Sequence, residues 1–436
     1  MSLDLGIVGS IFINAMESRV GANDILVTVR LRKPWALDNL RVCYERFLVE
    51  HPGLCSRWTE DTASGSFQWR PFSDSERDLL LSYERDRLSM MSSLDSVSLE
   101  YHPTNSRLPF RISPIDPQTL VFSINHMITD GRGSLTWVSR FLRAYAAEAG
   151  IELPPESGAA SEASGPTLSG SRNVRGLLAT LAYFSRLYLR SFRRRPNRIV
   201  DLSHGATPTK NSLGHGIIRF DLALERGSDA PQHCRELTIT EFLCASLARH
   251  LLSRNPTADC VPLLVPIDVR LDAGNPSLES PGSNVGSVPL QLFSGTDLDS
   301  ETRAAFRWLR LGVGFWFLRG LAAMFRRPTD LKAHFQRLGR LSMKERGIFG
   351  NSCFVISNMG CIKDPVLVHL VEHISAHAKM QRPTCLLLTF QGRLKLELTF
   401  PLNLYRAEEV VPPVEAMLDD LVAAVCSRNT GELVVG

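Results

Sequence analysis

A change of hydrophobic period between Gln118 and Tyr145 constrains this chain more than any other feature. Leu120, Phe122 and Ile124 alternate with Val121 and Ser123, the two-residue period of a half-buried strand expected to end near Asn125. Beyond Gly131 and Gly133 the apolar positions become Leu135, Val138, Leu142 and Tyr145, the three-and-four spacing of an amphipathic helix stopping before Gly150. His126 to Asp130 therefore lies on the turn between a strand and the helix it feeds. A histidine there is carried by a rigid element yet faces a crevice, where an imidazole titrating near neutral pH moves protons. Asp130 follows four residues later, within reach of the loop's underside, and Gly131 admits backbone angles that a side chain forbids.

At 436 residues the chain exceeds what one hydrophobic core fills, so two lobes are expected. With 44% hydrophobic and 22% charged residues it reads as globular. A net charge of +4 is too small and too dispersed to call for nucleic acid, and the sequence contains no nucleic-acid module. Its nine cysteines include no C-x-x-C pair and no Cys/His cluster at metal-ligand spacing, so they read as buried thiols in a reducing compartment and no metal is expected. The opening MSLDLGIVGS has no basic region and carries Asp4, which argues against a secretory signal, and no apolar run has bilayer length. A cytoplasmic location is expected.

The string NHMITDG resembles the HHxxxDG motif of the chloramphenicol-acetyltransferase-like superfamily, which includes condensation domains, polyketide-associated acyltransferases and wax ester synthases. The resemblance implies two α/β lobes, each a mixed β-sheet with flanking helices, and a substrate tunnel between them. It implies that His126, matching the second motif histidine, is the base. Asn125 stands where the first histidine is usual, beside the base and at the edge of the substrate. HPGLCSRW, from His51, resembles the R-H-P-x-L-R-x-R stretch after the family's first helix, with Cys55 in place of an arginine. PIDVR, from Pro266, resembles P-x-D-x-R, which implies that Arg270 pairs with Asp130. A planar guanidinium is a suitable partner for a carboxylate on a buried turn. SNMG, from Ser357, resembles the S-N-x-G that closes a strand beside the tunnel. Ser357 and Asn358 either donate to the acyl oxyanion or cap the strand. Asn284 and Ser287, in NVGS, either line the tunnel or serve as turn residues.

The remaining pattern fills in this frame. Strands are expected at 25–31, 66–69, 108–112, 216–222 and from Cys260 into Arg270, with a polar segment before 108–112. Helices are expected from Pro34 to before Pro52 and from about Thr240, as N-cap, through Leu251. CFVIS should be a buried strand ending at Ser357 and Asn358, Gln391 and Gly392 a hairpin turn, and Glu408 to Ser427 the last helix. His369, His373 and His377 share one helical face, read as solvated rather than metal-binding. Pro, Ser, Gly, Glu and Ala dominate 152–171, so the chain divides into a first lobe, 1–155, a linker with a basic amphipathic helix, 156–210, and a second lobe, 211–436.

Residues 172–198 and 307–328 are both aromatic, apolar and tipped with arginine. They read either as core helices with solvated ends or as contacts with an anionic membrane or a lipid substrate. The expected activity is acyl transfer from a thioester to a hydroxyl or amine on a small molecule or lipid, with His126 taking the acceptor's proton. No permanent cofactor is expected. Acyl-CoA is favoured as donor over an acyl carrier protein, since no carrier or adenylation module occurs in the sequence. Carrier-dependent condensation and a non-catalytic scaffold of the same fold are the alternatives.

Overall fold

The computed structural model describes residues 24–61, 66–92, 108–126, 128–154, 170–194, 199–203, 215–223, 233–234, 237–268, 285–314, 316, 353–378, 380 and 382–426. In the first part of the chain β1 (Asp24–Leu31) leads to α1 (Leu37–Glu50), the hairpin β2 (Ser56–Asp61) and β3 (Ser66–Pro71), and α2 (Asp74–Leu88). Then come β4 (Phe110–Pro114), β5 (Thr119–Asn125), α3 (Gly131–Glu148) and α4 (Gly170–Arg194). The second part contains β6 (His215–Ala223), the two-residue strands β7 (His233–Cys234) and β8 (Leu237–Thr238), α5 (Ile239–Arg254), β9 (Cys260–Asp268), β10 (Val285–Phe293) and α6 (Leu298–Leu309). It continues with β11 (Phe354–Ile362), α7 (Pro365–Leu370), β12 (Val371–Ala378), β13 (Thr384–Phe390), β14 (Arg393–Pro401) and α8 (Ala407–Cys426).

Two large sheets organise these elements. One runs β12-β1-β5-β4, all antiparallel; the other runs β10-β9-β11-β13-β14-β6, with β11 parallel to both neighbours. The mixed α/β, two-lobed architecture is the one the sequence resemblance implies. The helices α1 and α3 cover the first sheet because their apolar stripes meet its Leu120, Phe122 and Ile124 face. Phe47 sits at the centre, with ring centroids 5.5 Å from Phe110 and 5.4 Å from Phe141. Each such buried ring contributes about 1.5–3 kcal/mol. That packing fixes α3, and therefore the turn preceding it, against a rigid sheet.

The lobes are interleaved in sequence. β12 lies at residues 371–378, inside the span assigned by sequence to the second lobe, yet it hydrogen-bonds to β1 as an edge of the first sheet. β11 and β13 serve both cores. Phe354, Ile356, Cys385 and Leu387 pack into the second, while Met359, Ile362, Leu386, Leu388 and Phe390 pack into the first.

Several local expectations are corrected. β5 is buried on both faces, since Val121 and Ser123 are as inaccessible as Phe122. The polar segment before β4 contains the helix α2, started by a reciprocal capping box between Ser73 and Glu76. Thr238, not Thr240, caps α5, paired with Glu241 in a second such box. His373 and His377 lie on the strand β12 rather than on a helix with His369. Two-residue alternation places them on one face as well as helical spacing does. β11 continues past Ser357 and Asn358 through an irregularity between Asn358 and Cys361. The hairpin turn is as expected, with Gln391 at φ 49° and Gly392 at φ 74°.

Candidate active site

The strand β5 ends at Asn125, whose N–H donates to Pro109 O (2.8 Å) while its carbonyl accepts from Ile128 N (3.1 Å). The chain is thus turned sharply, and His126 stands half-buried at the turn. Burial pushes its imidazole pKa below the ordinary 6.5, more than the Asp130 charge and hydrogen bonds with the backbone of His126 and Thr129 raise it. Such a ring is neutral at pH 7, the form in which it accepts a proton.

Asp130 is fully buried as the N-cap of α3, with Oδ1 accepting from Gly133 N at 2.9 Å. The carboxylate meets an otherwise unpaired N–H at the positive end of an eighteen-residue helix. Ser134 locks the same turn, its N–H donating to Asp130 O (2.8 Å) and its hydroxyl to Gly131 O (2.7 Å). Gly131 is tight against the second part of the chain. A Cβ there would lie 3.3 Å from Cγ of the buried Met359.

Arg132 crosses between the lobes. Its Nε donates to Met359 O (3.2 Å) on β11, and its Nη1 lies 3.3 Å from Asp268 Oδ2 at the end of β9. Gly360, at φ +82°, leaves room for this guanidinium, since a Cβ would sit 3.0 Å from Nη2. The start of α3 is therefore clasped to both β9 and β11, close to the histidine turn. Asn125 joins a different group. Its Nδ2 donates to Asp24 Oδ1 (3.3 Å) on β1, and Arg111 of β4 donates to the other oxygen of that carboxylate. All three side chains are buried, so β1, β4 and β5 are tied together one residue before His126.

The sequence-selected residues divide accordingly. His126, Asn125, Asp130 and Gly131 come together at the end of β5. Ser357 is half-buried and Asn358 exposed on β11, the strand that supplies Met359. Asn358 supports its own bulge: its Nδ2 donates to Thr240 Oγ1 (3.1 Å) and its Oδ1 accepts from Gly360 N (2.8 Å). Arg270 and Asn284 lie outside the described residues, so the expected Asp130–Arg270 pair does too. Ser287 is in β10 opposite Pro266, with its side chain outside the described set. Sequence reasoning missed Arg132, Asp268, Met359, Asp24 and Arg111. The first three stand inside or directly after the motif strings, where only three-dimensional pairing distinguishes them from their neighbours. Among the described residues no group of three or more His, Cys, Asp or Glu side chains is placed to hold a metal ion.

No protein-family model matches the chain, and no curated protein matches it in sequence. Solved structures do match in fold. The starter condensation domain of rhizomide synthetase, in complex with C8-CoA, superposes with a TM-score of 0.62 at 11% identity, covering 100% of this chain and 98% of that one. The epimerization domain from the third module of tyrocidine synthetase B gives 0.58 at 12%, covering 99% and 98%. Polyketide synthase associated protein 5 from Mycobacterium tuberculosis gives 0.56 at 13%, covering 99% and 98%. The chain has the condensation-domain-like fold over its whole length.

Proposed function

We propose that the protein is an acyltransferase that moves an acyl group from a thioester, acyl-CoA in preference to an acyl carrier protein, to a hydroxyl or amine. The observation that carries this reading is the His126 turn. A neutral, half-buried imidazole stands at the end of a rigid strand, its following loop pinned by the Asp130 cap and clasped by Arg132 to two strands of the other sheet.

In the proposed reaction His126 removes the proton of the acceptor hydroxyl or amine as that group attacks the thioester carbonyl. An alcohol is almost entirely protonated at neutral pH, so a positioned base contributes about 10²–10⁴ in rate. The tetrahedral intermediate carries an oxyanion, for which the N-terminus of α3 and the side chains of Ser357 and Asn358 are the candidate donors. Collapse expels the thiolate, which receives the proton from His126. Asp130 positions the turn and takes no proton. The fold shared with a domain crystallised with C8-CoA supports an acyl thioester as donor.

The test is thiol release from a panel of acyl-CoAs with alcohol and amine acceptors, comparing wild type with His126→Ala. Loss of release in the variant supports the reading; equal release in both, or none with any pair, favours a scaffold role. Release only from acyl groups loaded on a carrier protein favours carrier-dependent condensation.

A second observation concerns where the reaction takes place. The helix α4 packs Ala179, Tyr183 and Leu187 against Leu309 and Val313, but Leu178 and Tyr188 on its outer side are each 61% exposed, with Arg175 and Arg186 exposed nearby. An apolar outer stripe bordered by arginine suits an anionic lipid surface, and so a lipid acceptor. The described part of 307–328 turns inward, with Trp308, Leu309 and Val313 packed under α4. No helix among the described residues is long and apolar enough to cross a membrane. Sedimentation with anionic liposomes should be lost in Leu178→Glu/Tyr188→Glu; undiminished binding contradicts the membrane role.

A further inference from the structure

At the end of β1 opposite the His126 turn the chain leaves the first sheet and borders a cavity of about 200 Å³. Asp24, at the start of β1, pairs with Asn125, and Leu31 ends the strand seven residues on, about 23 Å away at the rise of an extended chain. The cavity is thus remote from the proposed active site. It exists because three elements finish together here. β1 gives way to Pro34, α3 ends at Glu148 just before Gly150 with φ +63°, and α7 ends at Leu370. The positive φ folds Ile151 back over the helix, its N–H donating to Ala146 O at 2.8 Å.

The walls are apolar: Leu31, Tyr145, Ile151 and Leu370 face the space. The Tyr145 hydroxyl accepts from Ala36 N at 2.9 Å, so its polar end is engaged with the backbone. The rim has the opposite character. Arg32, Lys33 and His369 line it, all three exposed, and no lining residue is acidic. Arg32 donates to Val368 O (3.5 Å) and Gln391 Oε1 (3.2 Å), neutral acceptors that leave its charge uncompensated. Among the described residues neither Lys33 nor His369 has a carboxylate partner. An apolar recess under a rim with two uncompensated cations, Arg32 and Lys33, is matched by a molecule with a short hydrocarbon chain and one anionic head. A dry cavity of about 150 Å³ takes up benzene, so this one suits a chain of about six to eight carbons.

We propose that this cavity is a second ligand site, binding a medium-chain fatty carboxylate with its chain between the end of α3 and α7 and its head group at Lys33, Arg32 and His369. The site is independent of the acyl-transfer reading. It assigns to the far end of the first sheet the ability to sense a free acid whose chain resembles that of an acyl donor.

The experiment is calorimetric titration of the full chain with octanoate. Saturable one-site binding is expected, unchanged in His126→Ala, weakened at least tenfold in Lys33→Glu and abolished in Ile151→Trp, whose indole fills the recess. Octanol, with the same chain and no charge, should bind at least tenfold more weakly, and acetate not at all. Thermal melts establish that the variants are folded. Should Ile151→Trp fail to fold, photolysis of a diazirine-bearing octanoate on wild type replaces it and should label the segment 145–151. Absence of saturable binding, or binding unaltered by both Lys33→Glu and Ile151→Trp, overturns the proposal. Labelling confined to the His126 turn overturns it as well and assigns the acid to the acyl-transfer site instead. Failure of acyl transfer itself would leave these outcomes as they stand.

Discussion

Two histidines of the first sheet, His126 and His377, have acidic neighbours and opposite surroundings. His126 stands half-buried beyond the end of β5, beside Asp130, which caps α3 and whose charge favours the protonated ring against burial. His377 is fully sealed within β12, its Nδ1 3.1 Å from Glu397 Oε2 on β14 of the other sheet. Burial alone would raise the Glu397 carboxyl, but the His377 imidazole and the Arg219 guanidinium, 3.1 Å from Oε1, more than offset it and hold the pKa at about 2. A His–carboxylate pair that no substrate can reach joins two sheets. His126, at a strand terminus with its acid capping the helix that follows, stays partly accessible. Access, more than the presence of an acid, separates the two roles.

The largest effect expected from breaking this contrast is on turnover. His126→Ala should lose about 10²–10⁴ in acyl-transfer rate while its melting temperature stays close to wild type, as checked by thiol release and calorimetry on one preparation. Glu397→Gln should do the reverse. Removing one partner of a buried pair costs about 3–5 kcal/mol, read by denaturant unfolding, with the rate per folded molecule retained. The pH dependence sharpens this. The folded pKa is depressed from 4.5 to about 2, so the stabilisation is complete above the unfolded value and disappears as pH falls toward 2. The stability gap between wild type and Glu397→Gln should therefore be widest near neutral pH and close in acid.

Asp130→Ala is expected to lie between these extremes, costing about 1 kcal/mol through the lost cap and also lowering turnover because the turn is released. Asp130→Asn keeps a capping oxygen and should recover most of the stability. The smallest effect belongs to Arg132→Ala. Its ion pair with Asp268 is partly exposed and is worth at most about 1 kcal/mol, so unfolding should scarcely register it, whereas the Michaelis constant should rise as the clasp between α3 and β11 loosens.

The β5–turn–α3 unit was legible in sequence because Leu120, Phe122 and Ile124 keep one period and Leu135, Val138 and Leu142 another. The helix α2 was not, since Glu84 and Arg87 interrupt its inward face between Leu80, Leu81 and Leu88, and only the Ser73–Glu76 capping box marks it. His373 and His377 misled because a spacing of four satisfies both a helix face and a strand face. The long-range pairings were illegible for a stronger reason. Arg132 and Asp268 are 136 residues apart, Asp24 and Asn125 are 101 apart, and pairing over such separations is a property of the fold rather than of any local pattern.

The central claim, that His126 is the catalytic base, is tested most directly by the pH dependence of single-turnover thiol release. For wild type the rate should rise with pH through a midpoint below 6.5 and level off by neutrality, because burial lowers the ring's pKa and only the neutral ring accepts the proton. In His126→Ala that acid limb should vanish and the plateau fall at least about a hundredfold. An unchanged limb and plateau in the variant would contradict the account.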